Sequence, residues 1–398
     1  MRGPAGRRDA LAVVVAWAVT RIVLAWLADH PDVYGTPVTR VTGDVDLYRS
    51  WTASMIGEGL APYRDVRIEY PPGSLPFLGA PWPWVTGGGA YRTGFIAVML
   101  AVDALGLAGV LLLSRRWGGR VGPWAWVGLV TLLGPIAYLR LDLVPAVATI
   151  WALERASARA SLASGAWMGF GVLAKLYPAL LLPVMILRSR APGRLMAGAA
   201  LVTFAGLAPF LGSLDELSAS VLGYHSERGI QVESSWGLML LVASRAGYPI
   251  SVAYEFGAFH VAARIAPLLE WASVTLLAAV LGAVVWWTMR AAASTSSASA
   301  ALGLFGMLAL VLFTSPVLSP QFLLWVIALA AVAACGGLHR MSWALLALTA
   351  AVALTQLVYP FAYDRLLARD GGALALLAAR NVALGAAGVL ALIAARRG

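Results

Sequence analysis

Three groups of polar side chains could do chemistry in a chain that has few such residues. The first is Thr42-Gly43-Asp44-Val45-Asp46-Leu47-Tyr48-Arg49-Ser50-Trp51, followed by Glu69-Tyr70-Pro71-Pro72. The second sets Arg140-Leu141-Asp142 against Lys175-Leu176-Tyr177-Pro178. The third runs from Tyr224-His225 through Glu227-Arg228 to Gln231-Val232-Glu233, with Pro320-Gln321 further on. A positioned carboxylate can take a proton from a hydroxyl as that hydroxyl attacks, which is general-base work. Cations close by can stabilise charge on a departing phosphate.

Asp44 is read as a catalytic carboxylate, with Asp46 beside it as a second. Arg140, Lys175, His225 and Arg228 are the candidate cations for an anionic group, since Arg forks carboxylate or phosphate oxygens and Lys supplies a point charge. Arg49, Glu69, Tyr70, Asp142, Tyr177, Glu233 and Gln321 complete the set as substrate-binding candidates. Each has a plainer reading. Asp44 could cap a helix that starts there, and Asp46 could be an acid in its first turn. Arg140 could pair with Asp142, Arg228 with Glu227 or Glu233, and Gln321 could cap a helix. Lys175 is harder to set aside, because a cation at membrane depth costs roughly 2.5–3.5 kcal/mol on insertion scales.

The elements that must position these groups are membrane helices. Of 398 residues, 60% are hydrophobic and 12% charged, and the mean hydropathy is +0.80. A soluble chain carries about twice that charge fraction. Apolar runs long enough to cross a bilayer recur along the whole length. The fold expected is all-α: a single polytopic transmembrane bundle over 1–398. About twelve spans are expected, near 10–28, 93–113, 123–139, 143–159, 161–175, 177–188, 195–213, 266–288, 300–316, 321–337, 342–360 and 373–394. The first run, behind Arg2, Arg7 and Arg8, is read as an uncleaved span rather than a signal peptide. The formal charge of +10 is spread over short loops, which argues against a nucleic-acid partner. The one cysteine, Cys335, excludes an internal disulfide and a Cys-based metal site.

Loop charge predicts the orientation. Alternate loops hold Arg2/Arg7/Arg8, Arg115/Arg116/Arg120, Arg155/Arg159, Arg188/Arg190/Arg194, Arg290, Arg340 and Arg396/Arg397. The positive-inside bias puts these loops and both termini in the cytoplasm. Two long loops, 29–92 and 213–265, then face outward, and the catalytic acids lie in the first. Leu47, Trp51 and Met55 are spaced as one face of a short amphipathic helix on the membrane surface, ended by Gly57 and Gly59. Inside the bundle, Arg21 and Asp103 are expected to pair, while Arg380 has no obvious partner.

On Gly43-Asp44-Val-Asp46-Leu-Tyr-Arg49-Ser-Trp51 and Tyr70-Pro71-Pro72, the chain resembles the GT-C superfamily of polyprenyl-phosphate-sugar-dependent glycosyltransferases. The same residues look like the first loop of dolichyl-phosphate-glucose glucosyltransferases. Gly59-Leu-Ala-Pro62-Tyr63 is similar to that of GPI mannosyltransferases. With Arg140-Leu-Asp142, Lys175-Leu-Tyr177-Pro178, Tyr224 to Ser234 and Ser315 to Gln321 added, it is most similar to the bacterial polyprenol-phosphate-mannose mannosyltransferases of family 87. The resemblance implies an inverting transferase of the bacterial inner membrane, active in cell-envelope glycan assembly on the extracytoplasmic face. It would move a hexose, mannose first, from a polyprenyl-phosphate carrier to a hydroxyl of a glycolipid or glycan acceptor. It implies Asp44 as the base and Arg140, Lys175, His225 and Arg228 as the cations for the donor phosphate. Because a leaving phosphate is already acidic and nearby cations can neutralise it, no cofactor is expected, and a divalent cation at Asp44 and Asp46 is the disfavoured variant. The competing class is a secondary transporter of a polar or lipid-linked solute, which the spans, the break at Pro178 and the buried charges would also suit.

Overall fold

The computed structural model describes residues 4–35, 38–84, 88–290, 296–337, 339 and 341–397; Arg2 and Arg340 lie outside the described residues. The chain begins with α1 (Pro4–Asp29), α2 (Val38–Thr52), α3 (Leu75–Gly79), α4 (Gly88–Trp117), α5 (Val121–Leu133) and α6 (Leu143–Ser157). It continues with α7 (Ser161–Ala174), α8 (Leu182–Arg188), α9 (Pro192–Leu207), α10 (Leu214–Ser218), α11 (Tyr224–Glu227) and α12 (Ser235–Arg245). The last third holds α13 (Ala266–Arg290), α14 (Ser297–Thr314), α15 (Leu323–Ala334), α16 (Ser342–Gln356), α17 (Tyr363–Leu367) and α18 (Gly371–Arg396).

The chain is a helix-rich integral membrane bundle. Among the described residues, 7 helices are long and apolar enough to cross a membrane, and Val121–Leu133, Ser161–Ala174, Tyr177–Arg188 and Pro320–Ala334 are shorter apolar helices. Each of the twelve expected spans overlaps a helix, α6 being the one that falls in neither of these groups. Large apolar side chains on α1, α9 and α13, such as Ile22, Phe204 and Trp271, are exposed, as suits a surface solvated by lipid. By contrast α15 is buried from Leu323 to Ala334 and forms the axis of the core.

Lipid offers no hydrophobic drive for helix pairing, so close backbone approach must supply the contact. It does so where α7 crosses α9. A Cβ on Gly165 would lie 1.8 Å from the Leu195 carbonyl oxygen, and one on Gly198 would lie 2.0 Å from that of Leu162. Either substitution forces the helices apart. A second fastening is polar. Arg21 Nε donates to Asp103 Oδ2 at 2.7 Å, and Asp103 also accepts from Trp126, Tyr138 and Trp17 at 2.7, 2.6 and 3.0 Å. A buried pair is tolerated when its remaining lone pairs are satisfied in this way.

One feature departs from the all-α expectation. Within 213–265, β1 (Ile230–Gln231), β2 (Ser251–Glu255) and β3 (Ala258–Ala262) form a small antiparallel sheet in the order β1-β3-β2. The β2–β3 turn uses left-handed backbone at Phe256 (φ 49°) and Gly257 (φ 70°). A two-residue strand and a hairpin of two five-residue strands are too short to show a clear period in sequence.

Candidate active site

Between α1 and α4 the chain folds around α2, whose buried face is Val41, Val45, Tyr48 and Thr52. This corrects the expected face of Leu47, Trp51 and Met55: Leu47 is exposed, while Trp51 is buried at the flank. The helix starts at Val38, so Asp44 lies in its second turn and is not the N-cap. Gly57 and Gly59 do end the helical run, with Gly59 at φ 73°.

Asp44 faces Arg140. Arg140 Nε stands 2.7 Å from Asp44 Oδ2, with the side chains 6% and 26% exposed. The Arg140 Nη1 donates to the carbonyls of Val41 (3.1 Å) and Leu139 (2.9 Å). The guanidinium therefore ties the α5–α6 connection to α2. Asp142 does not pair with Arg140. It accepts from Lys175 Nζ at 2.7 Å and from Trp325 Nε1 at 2.8 Å, fully buried.

Lys175 owes its place to the end of α7. The helix stops because Pro178 removes a donor, and Lys175 takes up extended backbone at φ −164°, ψ 142°. Its ammonium lies 5.3, 4.9 and 5.3 Å from the ring centroids of Tyr70, Phe322 and Trp325. Rings at that range attract a cation through their quadrupole. Tyr177 stacks on Trp325 with centroids 4.1 Å apart. Tyr70 meets Tyr48 hydroxyl to hydroxyl at 3.0 Å.

Two cavities meet at Asp44. One, of about 460 Å³, is lined by Glu69, Tyr70, Lys175, Tyr177, Tyr224 and Arg228, with apolar Leu176, Leu180, Leu277, Val311 and Leu312. The other, of about 370 Å³, is lined by Arg140, Gln231, Glu233, Tyr254, Phe259, Tyr359 and Tyr363. Asp44, Gly257, Ser319 and Gln321 belong to both walls. The two substrates of a direct displacement need such an arrangement: two sites with a carboxylate where they touch.

The electrostatics of the two cavities differ. In the larger, Arg228 packs over the Tyr224 ring at 5.4 Å, makes no ion pair with a described carboxylate, and leaves its buried Nε without a hydrogen-bond partner. The plainer pairings expected for it are not formed, since Glu227 meets Arg67 at 3.5 Å and Glu233 meets Arg380 at 3.2 Å. The latter contact also supplies the partner that Arg380 lacked in sequence. Burial pushes the Glu69 carboxyl up to about 7, against smaller lowering from Tyr224 and from the nearby charges of Arg228 and Lys175. In the smaller cavity burial likewise pushes Glu233 up to about 7, despite Arg380.

Of the residues singled out in sequence, Asp44, Glu69, Tyr70, Lys175, Tyr177, Arg228 and Gln321 line the larger cavity, and Arg140 and Glu233 the smaller. Asp142 stands behind Lys175. Asp46 and Arg49 are exposed and line neither cavity, and Asp46 accepts from Thr42 at 3.1 Å. Positions two apart on a helix do not face each other, so Asp44 and Asp46 do not converge on one point. The side chain of His225 lies outside the described residues.

No family model matches the chain, and no curated protein matches it. Among solved structures it is similar to ArnT from Cupriavidus metallidurans bound to undecaprenyl phosphate, at 17% identity and a TM-score of 0.48, over 95% of this chain and 77% of that one. The apo state of that protein gives 16% identity and a TM-score of 0.46, over 96% and 77%. The chemistry below rests on this chain's own side chains.

Several wall residues carried no signal in sequence. Trp325 and Phe322 read as core because they sit in an apolar run. Tyr254, Tyr359 and Tyr363 belong to no motif, and only the folded chain brings them to Glu233. Phe256 and Gly257 enter the site through a turn that sequence did not reveal.

Proposed function

We propose that the chain is an inverting glycosyltransferase that moves a sugar from a polyprenyl-phosphate carrier to an acceptor hydroxyl. The observation that carries this reading is the position of Asp44, shared by two cavities of different character. The larger suits the donor. Lys175 and Arg228 are cations for the phosphate, and the apolar wall around Leu176, Leu277 and Val311 suits the prenyl chain. The smaller, with tyrosines, Gln231 and Glu233, suits a sugar acceptor. Aromatic faces and hydrogen-bonding groups are what a glycan hydroxyl surface needs.

The step balances without a further reactant. The acceptor oxygen forms a bond to C1 of the sugar as the C1–oxygen bond to phosphate breaks on the opposite side. The acceptor proton passes to Asp44. The lipid phosphate leaves with the electron pair, and Lys175 and Arg228 stabilise its charge. Arg140 orients Asp44 and carries the balancing positive charge. A phosphate leaving group is already acidic, so neither a general acid nor a metal is required. On the resemblance to family 87, the sugar is mannose and the acceptor a glycolipid or glycan on the extracytoplasmic face.

Incubating membranes that contain the protein with radiolabelled polyprenyl-phosphate-mannose, -glucose and -arabinofuranose, with and without a chelator, tests this. Labelled product from the mannose donor is expected in both conditions. Movement of a labelled solute across the membrane with no covalent product would instead establish the transporter.

A further inference from the structure

A third polar cavity, of about 380 Å³, lies at the other end of the bundle. Its wall includes Ser161 at the start of α7, Arg188 at the end of α8 and Ser297 at the start of α14. The opposite ends of the same three segments, at Lys175, Tyr177 and Ser315, line the large cavity beside Asp44. Helix α14 has 18 residues, which at 1.5 Å per residue puts the two cavities roughly 27 Å apart along it.

This cavity is built for an anion. Arg116, Arg159, Arg188 and Arg190 line it, and no described lining residue is acidic. The carboxylate of Glu154 behind the wall meets Arg116 at 2.8 Å and also meets Arg155, so one negative charge is divided between two guanidinium groups. Arg159 and Arg190 make no ion pair among the described residues. Helix α7 begins beside the cavity behind Ala160, which supplies no capping side chain. Its first-turn N–H groups and the positive end of its dipole are therefore uncompensated by any cap. Leu162, Leu187 and Met196, each next in sequence to a lining residue, are 51%, 45% and 53% exposed. A cationic pocket on helices that also expose large aliphatic side chains matches a ligand that is anionic at one end and apolar at the other.

We propose that this cavity binds the phosphate of an anionic lipid, with arginine forks on the headgroup and the acyl chains along Leu162, Leu187 and Met196. The site is independent of the transferase reading and needs no substrate at Asp44.

The test uses the full chain purified in detergent. It is titrated with phosphatidylglycerol and with phosphatidylcholine of the same acyl chains, and retained lipid is counted by native mass spectrometry. Phosphatidylglycerol is expected to bind at least tenfold more tightly. The double variant R159Q/R190Q is expected to bring it to the phosphatidylcholine level. R115Q/R120Q removes the same charge from outside the cavity and is expected to leave binding unchanged. Equal affinity of the two lipids for the unmodified protein overturns the proposal without any variant. So does an equal loss in R115Q/R120Q, which would mean a diffuse surface charge. Thermal stabilisation by inorganic phosphate that matches phosphatidylglycerol would make the ligand a soluble phosphate and overturn the lipid assignment.

Discussion

Arg140 reads α2 twice: its Nε lies 2.7 Å from the Asp44 carboxylate, and its Nη1 donates to the carbonyl of Val41, one turn earlier on that helix. The carboxylate cannot shift along the cavity wall without straining the guanidinium that also holds the backbone beneath it. On the proposed reading, Arg140 is a positioning residue and Asp44 the group that would touch the reacting hydroxyl.

Asp44→Asn keeps the shape of the side chain and removes its capacity to accept a proton. Expression and thermal midpoint are expected to stay near those of the parent. Sugar transfer is expected to fall by about 10²–10⁴-fold, the range for loss of a general base. Transfer within threefold of the parent would remove Asp44 as the base.

Arg140→Met leaves the Asp44 carboxylate against an apolar neighbour. Breaking a fully buried pair costs about 3–5 kcal/mol, and the cost here is expected to be smaller because Asp44 is 26% exposed. The thermal midpoint in detergent should drop, and the double variant R140M/D44N should regain part of it without regaining transfer. A midpoint unchanged in R140M would mean that the pair does not fasten α2.

Lys175→Met strands Asp142, which is fully buried and, among the described residues, is otherwise held by Trp325. Severe instability is expected. Adding Asp142→Asn should restore folding, as judged by gel filtration, while donor turnover stays low, because the phosphate has lost a cation. Full activity in the refolded double variant would confine Lys175 to a structural role.

Glu69 gives the site a pH dependence. Burial raises its carboxyl from 4.5 to about 7, so the folded protein favours the protonated form. Its contribution to stability is complete below the ordinary value and is lost as pH rises through about 7. Above that pH the ionised carboxylate competes with donor phosphate for Arg228 and Lys175. Donor KM is expected to climb as pH passes from 6 to 8, and Glu69→Gln should flatten that rise. An identical profile in the two proteins would free Glu69 from this role.

Tyr254→Ala removes an exposed ring from the wall of the smaller cavity. An aromatic contact of this kind is worth about 0.5–1.5 kcal/mol, or roughly two- to tenfold in affinity. Acceptor KM should rise by that factor with donor KM unaltered. A change in donor KM alone would reverse the assignment of the two cavities.

Much of the architecture is legible in sequence because lipid imposes it. A run such as Leu323–Ala334 has no other stable home, and the Arg21–Asp103 pair follows from two charges with nowhere else to go. Asp44, Lys175 and Arg228 are likewise visible, because a charge in an apolar chain stands out. What sequence hides is partnership. Arg140 and Asp142 are neighbours in the chain yet take different mates, since the turn into α6 sends their side chains to α2 and α7. The face of α2 was misread for a related reason: Leu47 borders a cavity, so an apolar side chain there does not mean burial. The tyrosines near Glu233 are aromatic residues without spacing, and only tertiary structure gives them meaning.

The β2–β3 hairpin is joined to the rest of the site through β3, which pairs with β1. It contributes Tyr254, Gly257, Ala258 and Phe259 to one side of the smaller cavity, and the Tyr224 hydroxyl pins its tip by donating to the Phe256 carbonyl at 2.6 Å. None of the cations beside the larger cavity belongs to it. Substitutions at Tyr254 or Phe259 on this ribbon therefore re-shape the uncharged side of the smaller cavity while every cation stays in place.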